Sequence, residues 1–106
     1  LAALANLPLS PSDLGKNNAR CNVIYGPTGF KIEADIPYLE KSGSYVFFSI
    51  KDFRDTLRIE QPKQFTPGTT ISASGEWFDT PNVKISSDLI TITQLDEGRV
   101  IEQNGC

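Results

Sequence analysis

Histidine and methionine are both absent from this chain of 106 residues. Without histidine it lacks the commonest general base, the commonest metal ligand and the one side chain that titrates near neutrality. A Ser-His-Asp or Cys-His nucleophilic centre cannot be built within it. Its 2 cysteines supply at most two of the usual zinc ligands, so no metal site is expected. Positive charge is scarce as well: 10 Lys and Arg stand against 13 Asp and Glu, a formal net charge of -3. A tight grip on a phosphate backbone calls for clustered positive charge, although an acidic body can still carry a local basic patch.

Long hydrophobic runs are missing too. The apolar opening LAALANLPL, residues 1–9, is too short to span a bilayer. It reads as the remnant of a removed targeting segment or as a packed N-terminal arm. The lack of an initial methionine points to a processed product or a fragment. No membrane span is expected. No N-x-Ser/Thr sequon occurs, so glycosylation gives no support for secretion.

The composition that remains is globular, with 39% hydrophobic and 22% charged residues. The length suits one domain with a modest core. Cys21 precedes the first strand-like segment and Cys106 ends the chain. The two are expected to pair. Such a long closed loop stabilises a fold by about 4–5 kcal/mol in the chain-entropy model. It also implies an oxidising compartment, so the expected location is secreted or periplasmic. The alternative is two unrelated thiols.

Residues 1–20 read as an arm, and residues 21–106 as a single β domain. Ser10, Pro11 and Asp13 form a helix-start signal that Gly15 cuts short. From residue 22 the pattern alternates. Phe30, Ile32, Ala34 and Ile36 share one face, while Lys31, Glu33 and Asp35 share the other. Gly26, Pro27 and Gly29 interrupt the run, as a bulge or turn does. Ser42–Gly43–Ser44 is a turn. Val46, Phe48 and Ile50 then alternate with Tyr45, Phe47, Ser49 and Lys51, so both faces of this strand carry aromatics. Leu57 and Ile59 point inward, as do Ile71, Ala73 and Trp77. Val83 and Ile85 precede a break at Ser86–Ser87–Asp88, and Ile90 and Ile92 follow it. DEGRVIEQNGC reads as a short returning strand. The fold class is all-β, with five or six strands at a spacing that suits a small barrel or sandwich.

The order of these elements resembles the OB-fold (oligonucleotide/oligosaccharide-binding). Residues 22–36 look like its long kinked first strand. Residues 45–51 and 55–60 look like its hairpin of strands two and three. FTPGTTISASGEW looks like the entry to strand four, and ISSDLITITQL like strand five. The link QPKQFTPG is too short for the helix many members carry. An immunoglobulin sandwich is the competitor, but it wants a Trp soon after the first Cys, and Trp77 lies far beyond Cys21.

The OB resemblance implies a site for single-stranded nucleic acid made of Tyr45, Phe47, Lys51, Phe53, Arg54 and Arg58. Aromatics there would stack on bases and cations would meet phosphates. A structural reading stands beside it. The aromatics could be covered by Leu4, Leu7 and Leu9 of the arm. Lys51, Asp52, Arg54 and Asp55 could pair with one another. Glu33, Asp35, Glu60 and Glu76 would repel phosphates. No carboxylate pair, calcium loop or phosphate-cradling glycine motif is readable, and GPTG lacks the Lys and helix of a P-loop. The expectation is a binding domain that does no chemistry and uses no cofactor. Its partner is single-stranded nucleic acid or, as the alternative, another protein met in an oxidising compartment, where the chain would act as an effector, inhibitor or assembly subunit.

Overall fold

The computed structural model describes residues 8–41, 43–51, 57–63, 65–78 and 84–106. The chain is mainly β. Its strands are β1 (Arg20–Tyr25), β2 (Gly29–Asp35), β3 (Tyr45–Ile50), β4 (Leu57–Glu60), β5 (Ile71–Trp77), β6 (Ile90–Asp96) and β7 (Arg99–Asn104). All strand pairs are antiparallel and form two sheets, of order β1-β2-β5-β4 and β3-β6-β7.

Alternation decides which side of each sheet is dry. Phe30, Ile32 and Ala34 of β2 and Ile71 and Ala73 of β5 are buried, and so are Val46, Phe48 and Ile50 of β3 and Ile90 and Ile92 of β6. They form one hydrophobic cluster between the sheets, so each sheet turns one face inward and one to solvent. Glycine makes room where an inward ring crosses the first sheet. Phe30 lies opposite Gly75, and a Cβ at Gly75 would sit 2.1 Å from the Phe30 ring. The ring fills the space the missing side chain leaves, and Trp77 packs beside it with centroids 5.8 Å apart.

Two expected connections differ from those observed. Gly26–Gly29 is the turn that the sequence offered beside a bulge, closed by the Gly26 amide on the Gly29 carbonyl at 2.8 Å; it joins β1 and β2 as a hairpin, so residues 22–36 are not the single kinked strand that the OB resemblance implied. The residues expected to form a 45–60 hairpin join different sheets: β3 pairs with β6, and β4 with β5. Among the described residues no ladder joins the two sheets, so no closed barrel is found there. The strand order is that of a constant-type immunoglobulin sandwich. The Cys and Trp spacing that argued against such a sandwich marks antibody domains, and it does not control strand order.

Cys21 of β1 and Cys106 beyond β7 are bonded, with Sγ atoms 1.99 Å apart and Cα atoms 5.2 Å apart. The bond ties the first strand of one sheet to the tail of the other. Close by, the buried Gln103 amide accepts from the Ala19 amide at 2.8 Å and the Tyr38 hydroxyl at 3.0 Å. It donates to the carbonyls of Ala19 at 3.0 Å and Gly105 at 2.8 Å. Burial pushes the Tyr38 phenol far up, so it stays a donor. The arm begins as expected: Ser10 caps a 3-10 turn (Pro11–Leu14), Asp13 completes a capping box, and Gly15 ends it at φ 67°. Leu9 then runs parallel to β7, bonding Val100 and Glu102 at 2.8 Å each.

Candidate functional site

The outer face of the three-stranded sheet follows from register. Tyr45 stands opposite Leu95, which stands opposite Val100; Phe47 opposes Thr93, which opposes Glu102; Ser49 opposes Thr91, which opposes Asn104. The first row is apolar, the last is polar, and Thr91 there donates to the Asn104 side chain at 3.2 Å. Tyr45 is 67% exposed and Phe47 39%. They remain open although Leu9 is docked on β7; Leu4 and Leu7, named as possible covers, lie outside the described residues.

The other outer face is different in kind. Arg20 opposes Asp35, Asn22 opposes Glu33, Ile24 opposes Lys31, and Arg58 opposes Glu76. Charges are matched at close range: Arg58 to Glu76 at 3.5 Å and Lys31 to Glu33 at 3.8 Å. Thr70 donates to Asp35 at 2.9 Å.

The six residues expected to form one site are therefore not brought together as a group. Tyr45 and Phe47 share the outer face of the three-stranded sheet. Lys51 is exposed just past the end of β3, its amide held by the Leu89 carbonyl at 2.9 Å. Arg58 sits on the opposite sheet, its charge matched by Glu76. Phe53 and Arg54 lie outside the described residues. Leu95 and Val100, which complete the apolar row, were missed. Leu95 is out of phase with Ile90 and Ile92, and Val100 with Ile101, so alternation marks both as outward; only the β6–β7 pairing sets them beside Tyr45.

A polar cluster closes one end of the same sheet. The Asp96 carboxylate accepts from the Ser44 hydroxyl, from the Gln94 amide at 3.0 Å and from Arg99 at 3.1 Å. Burial pushes this carboxyl up, but the hydrogen bonds from Ser44, Gln94 and Arg99 outweigh it and hold the pKa below the usual value. A carboxylate held ionised in this way is a poor proton donor near neutrality. Nearby, the Lys16 ammonium at 2.5 Å lowers Glu40 by a hydrogen bond and its charge. Among the described residues no three His, Cys, Asp or Glu gather as metal ligands. No described helix is long and apolar enough to cross a membrane. A shallow depression of about 320 Å³ under the β1–β2 hairpin is lined by Ile24, Tyr25, Pro27, Lys31 and Glu76 and lies open to solvent.

Compared with protein-family models, curated proteins and solved structures, the chain matches none of them.

Proposed function

We propose that this chain is a non-enzymatic binding domain of an oxidising compartment, and that it meets another protein through the outer face of its three-stranded sheet. The observation that carries this reading is the apolar row of exposed Tyr45 and half-buried Leu95 and Val100, with exposed Phe47 beside it. Exposed apolar area gathered on one face of a small domain is the usual mark of a contact surface, and Tyr and Phe are favoured at the centres of such surfaces. The Cys21–Cys106 bond supports the compartment.

Nucleic acid is the competing partner that the OB resemblance implies. It is the weaker reading because Arg58, the described one of the two arginines expected in the site, is matched by Glu76 on the other sheet. The face itself offers Glu102 opposite Thr93, which is in turn opposite Phe47.

The test is a fluorescent single-stranded oligonucleotide titrated at two salt concentrations, for the wild type and for the double substitution Tyr45→Ala with Phe47→Ala. This reading expects no saturable binding by the wild type at either salt. Salt-dependent binding that is abolished by Tyr45→Ala with Phe47→Ala would overturn it in favour of nucleic acid.

A further inference from the structure

Three of the four sheet edges are already occupied or short. The outer edge of β7 carries Leu9 of the arm. The edge of β1 meets the tail, since the Cys21 amide donates to the Cys106 carbonyl at 3.2 Å. The Tyr25 hydroxyl, which accepts from the Ile85 amide at 2.8 Å, holds the chain leading into β6 beside it. The edge of β4 has 4 residues, two of them the charged Arg58 and Glu60.

The edge of β3 is unlike these. Its 6 residues, YVFFSI, contain no charge, no Gly and no Pro. Every one but Ser49 is β-branched or aromatic, which is the composition of segments that pair with copies of themselves. Antiparallel alternation turns the backbone of Val46, Phe48 and Ile50 outward, away from β6. At the centre of that edge, among the described residues, a side chain stands where a strand would. The Phe48 amide donates to Gln61 Oε1 at 2.8 Å, and Gln61 Nε2 donates back to the Phe48 carbonyl at 2.9 Å. A primary amide presents one donor and one acceptor side by side, as a backbone residue of a neighbouring strand does.

We propose that the β3 edge is a strand-addition site whose occupant is β3 of a second copy, and that the Gln61 side chain gates it by imitating that strand. A twofold axis through Phe48 pairs Phe48 with its own copy and Val46 with Ile50 of the other chain. The outward backbone groups of all three residues then bond across the axis. On the solvent face the same register sets Tyr45 opposite Lys51 of the second copy, and Phe47 opposite its Ser49. The ammonium meets an aromatic face, and no like charges oppose. The result is a continuous six-stranded sheet from two three-stranded ones. The inference concerns the edge and does not depend on what docks on the face.

Sedimentation of wild type and Gln61→Ala over the same concentration series tests the gate. Gln61→Ala should dimerise at least tenfold more tightly. Adding Tyr45→Lys, which sets a lysine against Lys51 twice by symmetry, should return self-association to the wild-type level. A folded Gln61→Ala protein that stays as monomeric as wild type would overturn the proposal, and so would a dimer indifferent to Tyr45→Lys. Hydrogen exchange on the wild type gives a second reading that needs no substitution. Protection of the Val46, Phe48 and Ile50 amides should rise with protein concentration, and exchange independent of concentration into the millimolar range would contradict the site.

Discussion

The two sheets of this sandwich share one core and present opposite chemistry to solvent. The four-stranded sheet faces outward with matched charges, Arg58 against Glu76 across β4 and β5 and Lys31 against Glu33 along β2. Such exposed pairs contribute about 0–1 kcal/mol each, and exposed Ile24 stands beside them opposite Lys31. The three-stranded sheet faces outward with Tyr45, Phe47, Leu95 and Val100, which gain nothing from water. The same alternation that builds the core therefore leaves paired charges on the outer face of one sheet and Tyr45 and Phe47 on that of the other.

The largest expected effect comes from cutting the covalent tie between the sheets. Replacing Cys21 and Cys106 by Ala should lower stability by about 4–5 kcal/mol, read as a fall in the urea midpoint. Reduction of the wild type should approach the same midpoint. Next comes the polar tie at the same place. Gln103→Leu strands the Ala19 amide and carbonyl, the Gly105 carbonyl and the Tyr38 hydroxyl, and should cost about 2–4 kcal/mol. Gln94 is equally buried, but its Oε1 has no partner among the described residues. Gln94→Leu removes that orphan along with one donor to Asp96, so it should cost less than about 1.5 kcal/mol. The pair distinguishes a satisfied buried amide from a half-satisfied one in the same three-stranded sheet.

A smaller effect should appear with pH. Asp96 has a lower pKa folded than unfolded, so the unfolded chain binds more protons and stability rises with pH through that range. Its contribution is complete above the ordinary carboxylate pKa of about 3.9 and is lost as pH falls through the folded value. Asp96→Asn should flatten the acid limb of a stability–pH curve while leaving its pH 7 to 9 portion level. The smallest effects belong to the two outer faces. Arg58→Ala and Tyr45→Ser should each change stability by less than about 1 kcal/mol, yet only the second should alter partner binding.

Much of the architecture was legible. Alternation placed Phe30, Ile32, Ala34, Val46, Phe48 and Ile50 inward, and each is buried. Ser10, Pro11, Asp13 and Gly15 marked the one capped turn of the arm. The cysteine pairing followed from having just two. Strand partners were not legible, because alternation reports which face a residue uses and is silent about the strand beside it. KDFRDT carries the polar residues of a hairpin turn, but β3 before it and β4 after it belong to different sheets, which separates Arg58 from Tyr45. Gln103 and Gln94 had a signal, each lying in phase with buried isoleucines of its strand. Gln61 had none: its role depends on a backbone edge that only the folded chain creates.

The most direct test of the contrast between faces is site-specific photo-crosslinking, with one probe at position 45 and another at position 74. Ser74 is exposed on β5, on the outer face of the four-stranded sheet. Both proteins would be presented to the same secreted or periplasmic protein fraction under identical light. The account predicts a discrete adduct from position 45 that is competed away by unlabelled wild type, and none from position 74. Equal adducts from both positions, or a competed adduct from position 74 alone, would contradict it.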